Sequence, residues 1–397
     1  MVLDGNRGHH DKQSHVVSLF QCGSMAMLFG TCMLLTHPAL ASHVANDGLP
    51  QRPAEEHPQN LKLFDWRSYV QVRYTHIEAS DDLLALRRFK VMLGGHLNPK
   101  FKYFVQALYK KGNNSPTDDR PSIQETWVTY AWLPSLRLTV GQFKPPFGME
   151  RFTWDARISS IDRSQATDHL VPNGKLGNSF TRDRGIQLDG WDQQGRLYYA
   201  VGFFEGEGAN TKIRKFQPLL ATRLAYRLFD QEPLAGHPLN VHLGGGFAIR
   251  WANGLDLSRC CPGEPQQQAL SSFDGQDIRW NVEFAADWER TSFRSEYFYA
   301  RFDFRNAATS DFSADGWYVQ VAQYVVEETV QVMAKWEGFN PNRSVSDKND
   351  IVWTTLGLTY FLDGYRAKVM ANYVFKQEEA NSFHNDTFLL QAQYFFK

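Results

Sequence analysis

The chain has 397 residues, with 42 Lys+Arg against 43 Asp+Glu and a formal net charge of −1 at pH 7. Its mean hydropathy of −0.44 and 21% charged residues leave no apolar run of the ~20 residues a helix needs to cross hydrocarbon. A helical membrane bundle is thereby excluded, while the 11 Trp, 16 Tyr and 29 Phe suit aromatic girdles at the two interfaces of a membrane barrel.

The first segment reads as an export signal covering residues 1–41. Ala26 to Leu35 has the length of an apolar h-region, and Ala39-Leu40-Ala41 offers the small-x-small pattern of a cleavage site. Arg7 and Lys12 are offset by Asp4 and Asp11, and neither Cys22 nor Cys32 lies in a good lipoprotein box. The mature chain then begins near Ser42, with 42–62 as a short periplasmic segment and 63–397 as a barrel.

From Trp66 to Phe396 strand-length stretches alternate apolar and polar residues, as a barrel wall between lipid and a wet lumen requires. The pattern predicts strands over 64–77, 86–97, 101–110, 123–133, 136–143, 184–190, 197–205 and 218–229. Eight more follow over 239–251, 278–289, 292–304, 316–326, 329–339, 351–362, 365–376 and 386–396. In the last, Phe388, Leu390, Ala392, Tyr394 and Phe396 share one face, and Thr387, Gln391 and Gln393 the other. Short turns follow even-numbered strands and long polar loops most odd-numbered ones, placing the turns on the periplasmic side and the loops outside. The 230–238 turn is longer than its peers. A large soluble β protein is the competing class, but sandwiches do not usually sustain this alternation of loop lengths.

Only Cys260 and Cys261 remain after the signal. Beside Pro262, Gly263 and Pro265 they could form a vicinal disulfide that stiffens a loop; a metal or redox role lacks a nearby His or second Cys pair.

The longest connection, 144–183, is too long for an idle loop. It opens on Gly141-Gln142-Phe143-Lys144-Pro145-Pro146-Phe147-Gly148-Met149-Glu150-Arg151, followed by Ile161-Asp162-Arg163-Ser164, Arg182-Asp183-Arg184-Gly185 and Tyr199-Ala200-Val201-Gly202-Phe203-Phe204-Glu205-Gly206. These blocks, in this order, resemble the phosphate-selective porin O and P family, most strongly over 138–206. The family often has Glu-Arg-Ser where this chain has Asp162-Arg163-Ser164, and Lys397 extends past the terminal aromatic Phe396. The resemblance implies an all-β transmembrane antiparallel barrel of about sixteen strands. It also implies a homotrimer with the third extracellular loop, 144–183, folded into each lumen. Pro145, Pro146 and Gly148 would set the turn inward.

Selectivity in such a pore comes from charges along the path, and Arg or Lys rings favour anions. Alternation sends Arg67, Arg73, Arg88, Lys90, Lys102, Lys110 and Arg137 inward on the first five strands. It adds Arg223, Arg227, Arg250, Arg279, Arg294, Lys335, Arg366, Lys368 and Lys376 later. Inward acids, among them Glu125, Glu283, Asp287, Glu296 and Glu337, are fewer. The long loop contributes Lys144, Arg151, Arg157, Arg163, Lys175, Arg182 and Arg184 against Glu150, Asp155, Asp162, Asp168 and Asp183. Inward cations also brace barrel walls by pairing with acids. Glu150-Arg151 and Arg182-Asp183-Arg184 read as tethers, and Arg88, Lys90 and Lys102 with Lys144 and Arg163 as the phosphate candidates.

The expected function is passive diffusion of small anions, phosphate or polyphosphate by resemblance, through an outer membrane whose lipid and lipopolysaccharide surround the barrel. A general or sugar-permeable porin is the alternative channel, and a plugged structural or adhesive barrel the alternative outside channels. No hydrolase elbow, His-Glu-x-x-His or phosphate-cradling glycine loop appears, so neither an enzyme nor a cofactor is expected. No nucleic-acid module is evident, the aromatics being assigned to the lipid-facing stripe.

Overall fold

The computed structural model describes residues 48–50, 52, 62–113, 118–171, 180–211, 216–257, 271–306, 310–346, 349–378 and 385–396. The proposed signal 1–41, Lys175, Cys260, Cys261 and Lys397 lie outside the described residues.

Sixteen strands form: β1 (Asp65–Ile77), β2 (Leu83–Asn98), β3 (Phe101–Lys111), β4 (Ser122–Leu133), β5 (Leu136–Phe143), β6 (Asp183–Trp191), β7 (Leu197–Phe204) and β8 (Leu219–Leu234) in the first half. The second half holds β9 (His237–Leu255), β10 (Phe273–Trp288), β11 (Thr291–Phe304), β12 (Phe312–Val326), β13 (Val330–Asn340), β14 (Ile351–Asp363), β15 (Ala367–Glu378) and β16 (Thr387–Phe395). Each pairs antiparallel with its sequence neighbours, and β1 closes the barrel on β16 with Gln71 opposite Gln393 and Arg73 opposite Gln391. The barrel thus removes every open sheet edge, as hydrocarbon demands. The expected long turn at 230–238 is a two-residue one. β8 and β9 continue to Leu234 and from His237, leaving Ala235-Gly236 with φ of 52° and 85°. The polar stretch around Glu232 carries no apolar alternation, yet its backbone still pairs.

The outer face follows the sequence pattern: Leu390 and Tyr394 of β16 are exposed, as are Trp251, Trp280 and Trp336. The inner face departs from it. Phe298 and Phe302 of β11, Ala314 of β12 and Phe339 of β13 are buried and pack on Phe147, Leu170, Val171 and Phe180 of the 144–183 segment. Aromatics are therefore not confined to the lipid-facing stripe. At about 1.5–3 kcal/mol per large side chain, this burial is what seats the segment against that wall.

The segment leaves β5 through Gly141, whose φ is +140° and where an added Cβ would stand 2.2 Å from the Thr126 carbonyl oxygen. Gly148, at φ +80°, turns the chain beside Phe298 into a short helix α1 (Met149–Phe152), and α2 (Gln165–Leu170) follows. Both helix starts rest on carboxylates of the wall. Glu296 accepts from the Met149 and Glu150 N–H groups at 2.6 and 2.8 Å and from the Tyr318 hydroxyl at 3.0 Å. Glu337 accepts from the Gln165 N–H at 2.6 Å. Glu150 turns back on its own segment and takes the Ser164 Oγ–H at 2.8 Å, while Ser164 caps α2 by accepting from Thr167 N. Cations meet the carbonyls: Lys335 donates to Asp162 O at 3.2 Å and Lys368 to Ile158 O at 3.3 Å.

Gly141→Ala is expected to lower the urea midpoint of the refolded barrel by the equivalent of about 1–3 kcal/mol, the usual cost of a strained backbone; an unchanged midpoint would remove that constraint. In Glu296→Gln one accepting oxygen becomes an NH2 group facing a backbone N–H, so proteolysis within 144–171 should accelerate while the barrel keeps its heat-modifiable gel migration.

Candidate functional site

Charges on the β8–β13 side are largely consumed within the wall. Arg223 binds Glu283 at 2.7 Å; Arg250 and Arg279 share Asp277, the latter at 2.7 Å; and Lys335 meets Glu337 at 3.1 Å. Phe180 covers Arg279 at 4.3 Å from ring centroid to guanidinium carbon. From the N-terminal side, Gly48 O accepts from Arg223 at 2.8 Å, Leu49 packs near Trp191 and Tyr198, and Arg52 reaches Asp230 at 2.6 Å. These arginines are structural braces, desolvated and paired.

Across the lumen, a cavity of about 340 Å³ opens between β1–β4 and residues 151–168 with Thr181 and Arg182. It is lined by eight cations, Arg73, Arg87, Arg88, Lys90, Lys110, Arg151, Arg163 and Arg182, against three carboxylates, Asp155, Asp162 and Asp168. Arg73 binds Asp162 at 2.9 Å, and Arg87 stands 3.8 Å from the same oxygen. Arg88 meets Asp155 at 2.7 Å, Lys90 binds the same carboxylate, and Arg163 reaches it at 2.5 Å. Arg182 takes Glu125 at 2.9 Å. Arg151 donates to Thr181 O at 2.8 Å, but its buried Nε has no hydrogen-bond partner among the described residues.

Burial would raise the loop carboxyls, yet Lys90, Arg88 and Arg163 outweigh it and hold Asp155 well below the usual carboxylate range. Arg73 and Arg87 do the same for Asp162. Burial drives the Lys144 ammonium well below its ordinary value; nearby Glu125 opposes that shift and Arg151 reinforces it. Lys144 donates to Arg151 O at 3.3 Å, beside the cavity.

Of the phosphate candidates, Arg88, Lys90 and Arg163 come together here. Lys102 lies beside the β2–β3 turn, opposite His96 and Thr129, and does not line the cavity. Arg67 is exposed at the start of β1 and paired with Asp65 at 3.1 Å. Arg137 pairs with Asp189 on β6. Arg157 lies near Trp154 and Tyr365, at 5.9 and 5.7 Å from their ring centroids. Arg184 belongs to β6, in phase with the exposed Ile186 and Leu188, and binds Glu205 at 2.6 Å. Arg366, expected inward, is exposed in the β14–β15 turn near Asp363.

Strict alternation misses Arg87. A bulge in β2 pairs Arg88 with Gln71 but Leu86 with Val72, so the extra residue Arg87 turns inward beside Arg88. The signal was present: Leu84 and Leu86 fall in one phase, Phe89, Val91 and Leu93 in the other.

The sequence model of the family "Phosphate-selective porin O and P" matches residues 68–228. Porin O of Pseudomonas aeruginosa is 24% identical over 288 residues, covering 68% of this chain and 64% of that protein, less than two thirds of its length. Among solved structures, OmpT of Vibrio cholerae in a trimer form matches 84% of this chain and 99% of its own, at 13% identity and a TM-score of 0.55. Salmonella typhi OmpF in complex with daunomycin matches 84% of this chain and 97% of its own, at 11% identity and a TM-score of 0.56. These structures share the barrel fold. The family match takes in less than half of the chain, so over residues 68–228 the chain is similar to the phosphate-selective porin O and P family.

Proposed function

We propose that this porin passes small anions passively, with inorganic phosphate as a solute, and that the path follows the basic cavity along β1–β4. The observation that carries the reading is the lining of eight cations against three carboxylates on one side of the lumen, where the opposite side is neutralised by pairing. A cationic lining raises the local anion concentration, and several weak sites permit release as well as entry. In this reading the 144–183 segment narrows the path. The mature chain starts near Ser42 after export, and three copies assemble, as the OmpT trimer form does. The exposed apolar belt sits in outer-membrane lipid and lipopolysaccharide.

Adding inorganic phosphate to the purified channel in a planar bilayer should block its chloride current in a saturable way. Chloride passage without block would leave a general porin, and a silent bilayer a plugged structural barrel. Replacing Arg87 and Arg88 together by Gln should lower the chloride-over-potassium permeability ratio severalfold. Arg301→Gln, at an exposed pair with Asp303, should leave it unchanged.

The pH dependence has a definite sign. Asp155 and Asp162 have folded pKa values below the ordinary ~3.9, so their tethers are complete above that value and weaken only as pH falls through the lowered ones. Asp155 and Asp162 should therefore stay charged from pH 7 down past the ordinary carboxylate value, and Asp155→Asn should raise the chloride-over-potassium ratio by the same factor at pH 7 and at about pH 4.5.

A further inference from the structure

Asp155 is the meeting point of three cations from two sides. Arg88, at 2.7 Å, and Lys90 approach Oδ2 from β2, while Arg163 of the inserted segment reaches Oδ1 at 2.5 Å. Among the described residues, wall braces such as Arg250 and Arg279 on Asp277 bring two cations to one carboxylate. A carboxylate holding both oxygens among three charged donors stands where a bound oxyanion would take its charge-assisted bonds. The junction borders the 340 Å³ cavity, and Arg151 on the cavity wall is 6% exposed and keeps its Nε unpartnered among the described residues. The cavity therefore holds donors in excess of the carboxylate that serves them.

We propose that Asp155 is a tethered counter-anion: it fills the oxyanion position of the cavity in the empty channel, and an incoming oxyanion such as inorganic phosphate displaces it from Arg88, Lys90 and Arg163. This rests on the anion-channel reading above and adds the residue that sets how tightly solute is held. Exchange of one anion for another keeps the three cations compensated throughout, so solute enters without exposing bare buried charge. It also weakens net binding, because every bond to solute replaces a bond to Asp155. Weak net binding is what a conducting site needs.

The test compares the full-length wild type with Asp155→Asn, Asp155→Ser and Asp155→Glu in planar bilayers, reading the phosphate concentration that halves the chloride current. Both neutral variants should lower that concentration about tenfold, roughly 1.4 kcal/mol, and raise the chloride-over-potassium ratio. Asp155→Glu, which restores the competing carboxylate, should return toward wild type. Unchanged or weaker block in the neutral variants, with wild type still anion-selective and blocked, overturns the proposal and leaves the channel reading intact. If the wild type itself shows no phosphate block, the channel reading fails and takes the proposal with it. Failure of both neutral variants to assemble, while Asp155→Glu does, makes Asp155 a brace and likewise overturns the proposal.

Discussion

The backbone of residues 144–171 carries N–H and C=O groups that must find partners against the barrel wall, because a buried polar group without one costs about 1–3 kcal/mol. The barrel supplies those partners from inward side chains. Glu296 and Glu337 accept at the starts of α1 and α2, and Lys335 and Lys368 donate to carbonyls of the same segment. This requirement fixes charges on β11, β13 and β15 and determines which of the remaining charges are left to meet solute. It also explains why Ala and Phe replace polar residues on parts of the inner face: helix α2 and the chain around Phe147 and Phe180 need an apolar seat.

An asymmetric lumen follows. On one side the arginines are buried with acids at short range, and their fields cancel locally. On the other, β1–β4 and residues 151–168 with Arg182 gather more cations than carboxylates around an open volume. The whole chain, with a net charge of −1, gives no hint of this division. Charge sign in a pore is a local property, set by which side chains share a carboxylate, and total charge is a poor guide to it.

Much of the wall was legible in the sequence because alternation with period two is a direct imprint of lipid on one face and a different environment on the other. The strand count, the long and short loops, and the outward stripe of β16 follow from it. What was not legible depends on register and on tertiary contact. Arg250 meets the Asp277–Arg279 pair of β10 only when β9 is aligned so that Arg250 stands opposite Asp277. Arg87 required recognition of a phase slip between Leu86 and Phe89, and Arg184 sits on the outer side because β6 begins at Asp183. Phe298 and Phe302 share the phase of the inward Arg294 and Glu296, and aromatic side chains there make sense only once the segment they support is present. Likewise Asp155 looks like one loop acid among five, and only the approach of β2 makes it the partner of three cations.

The proposed anion preference rests on the unshared charge of the lumen. The reversal potential of the reconstituted wild-type channel across a potassium chloride gradient tests it most directly. The account predicts a potential displaced toward the chloride equilibrium value; displacement toward the potassium value would contradict it.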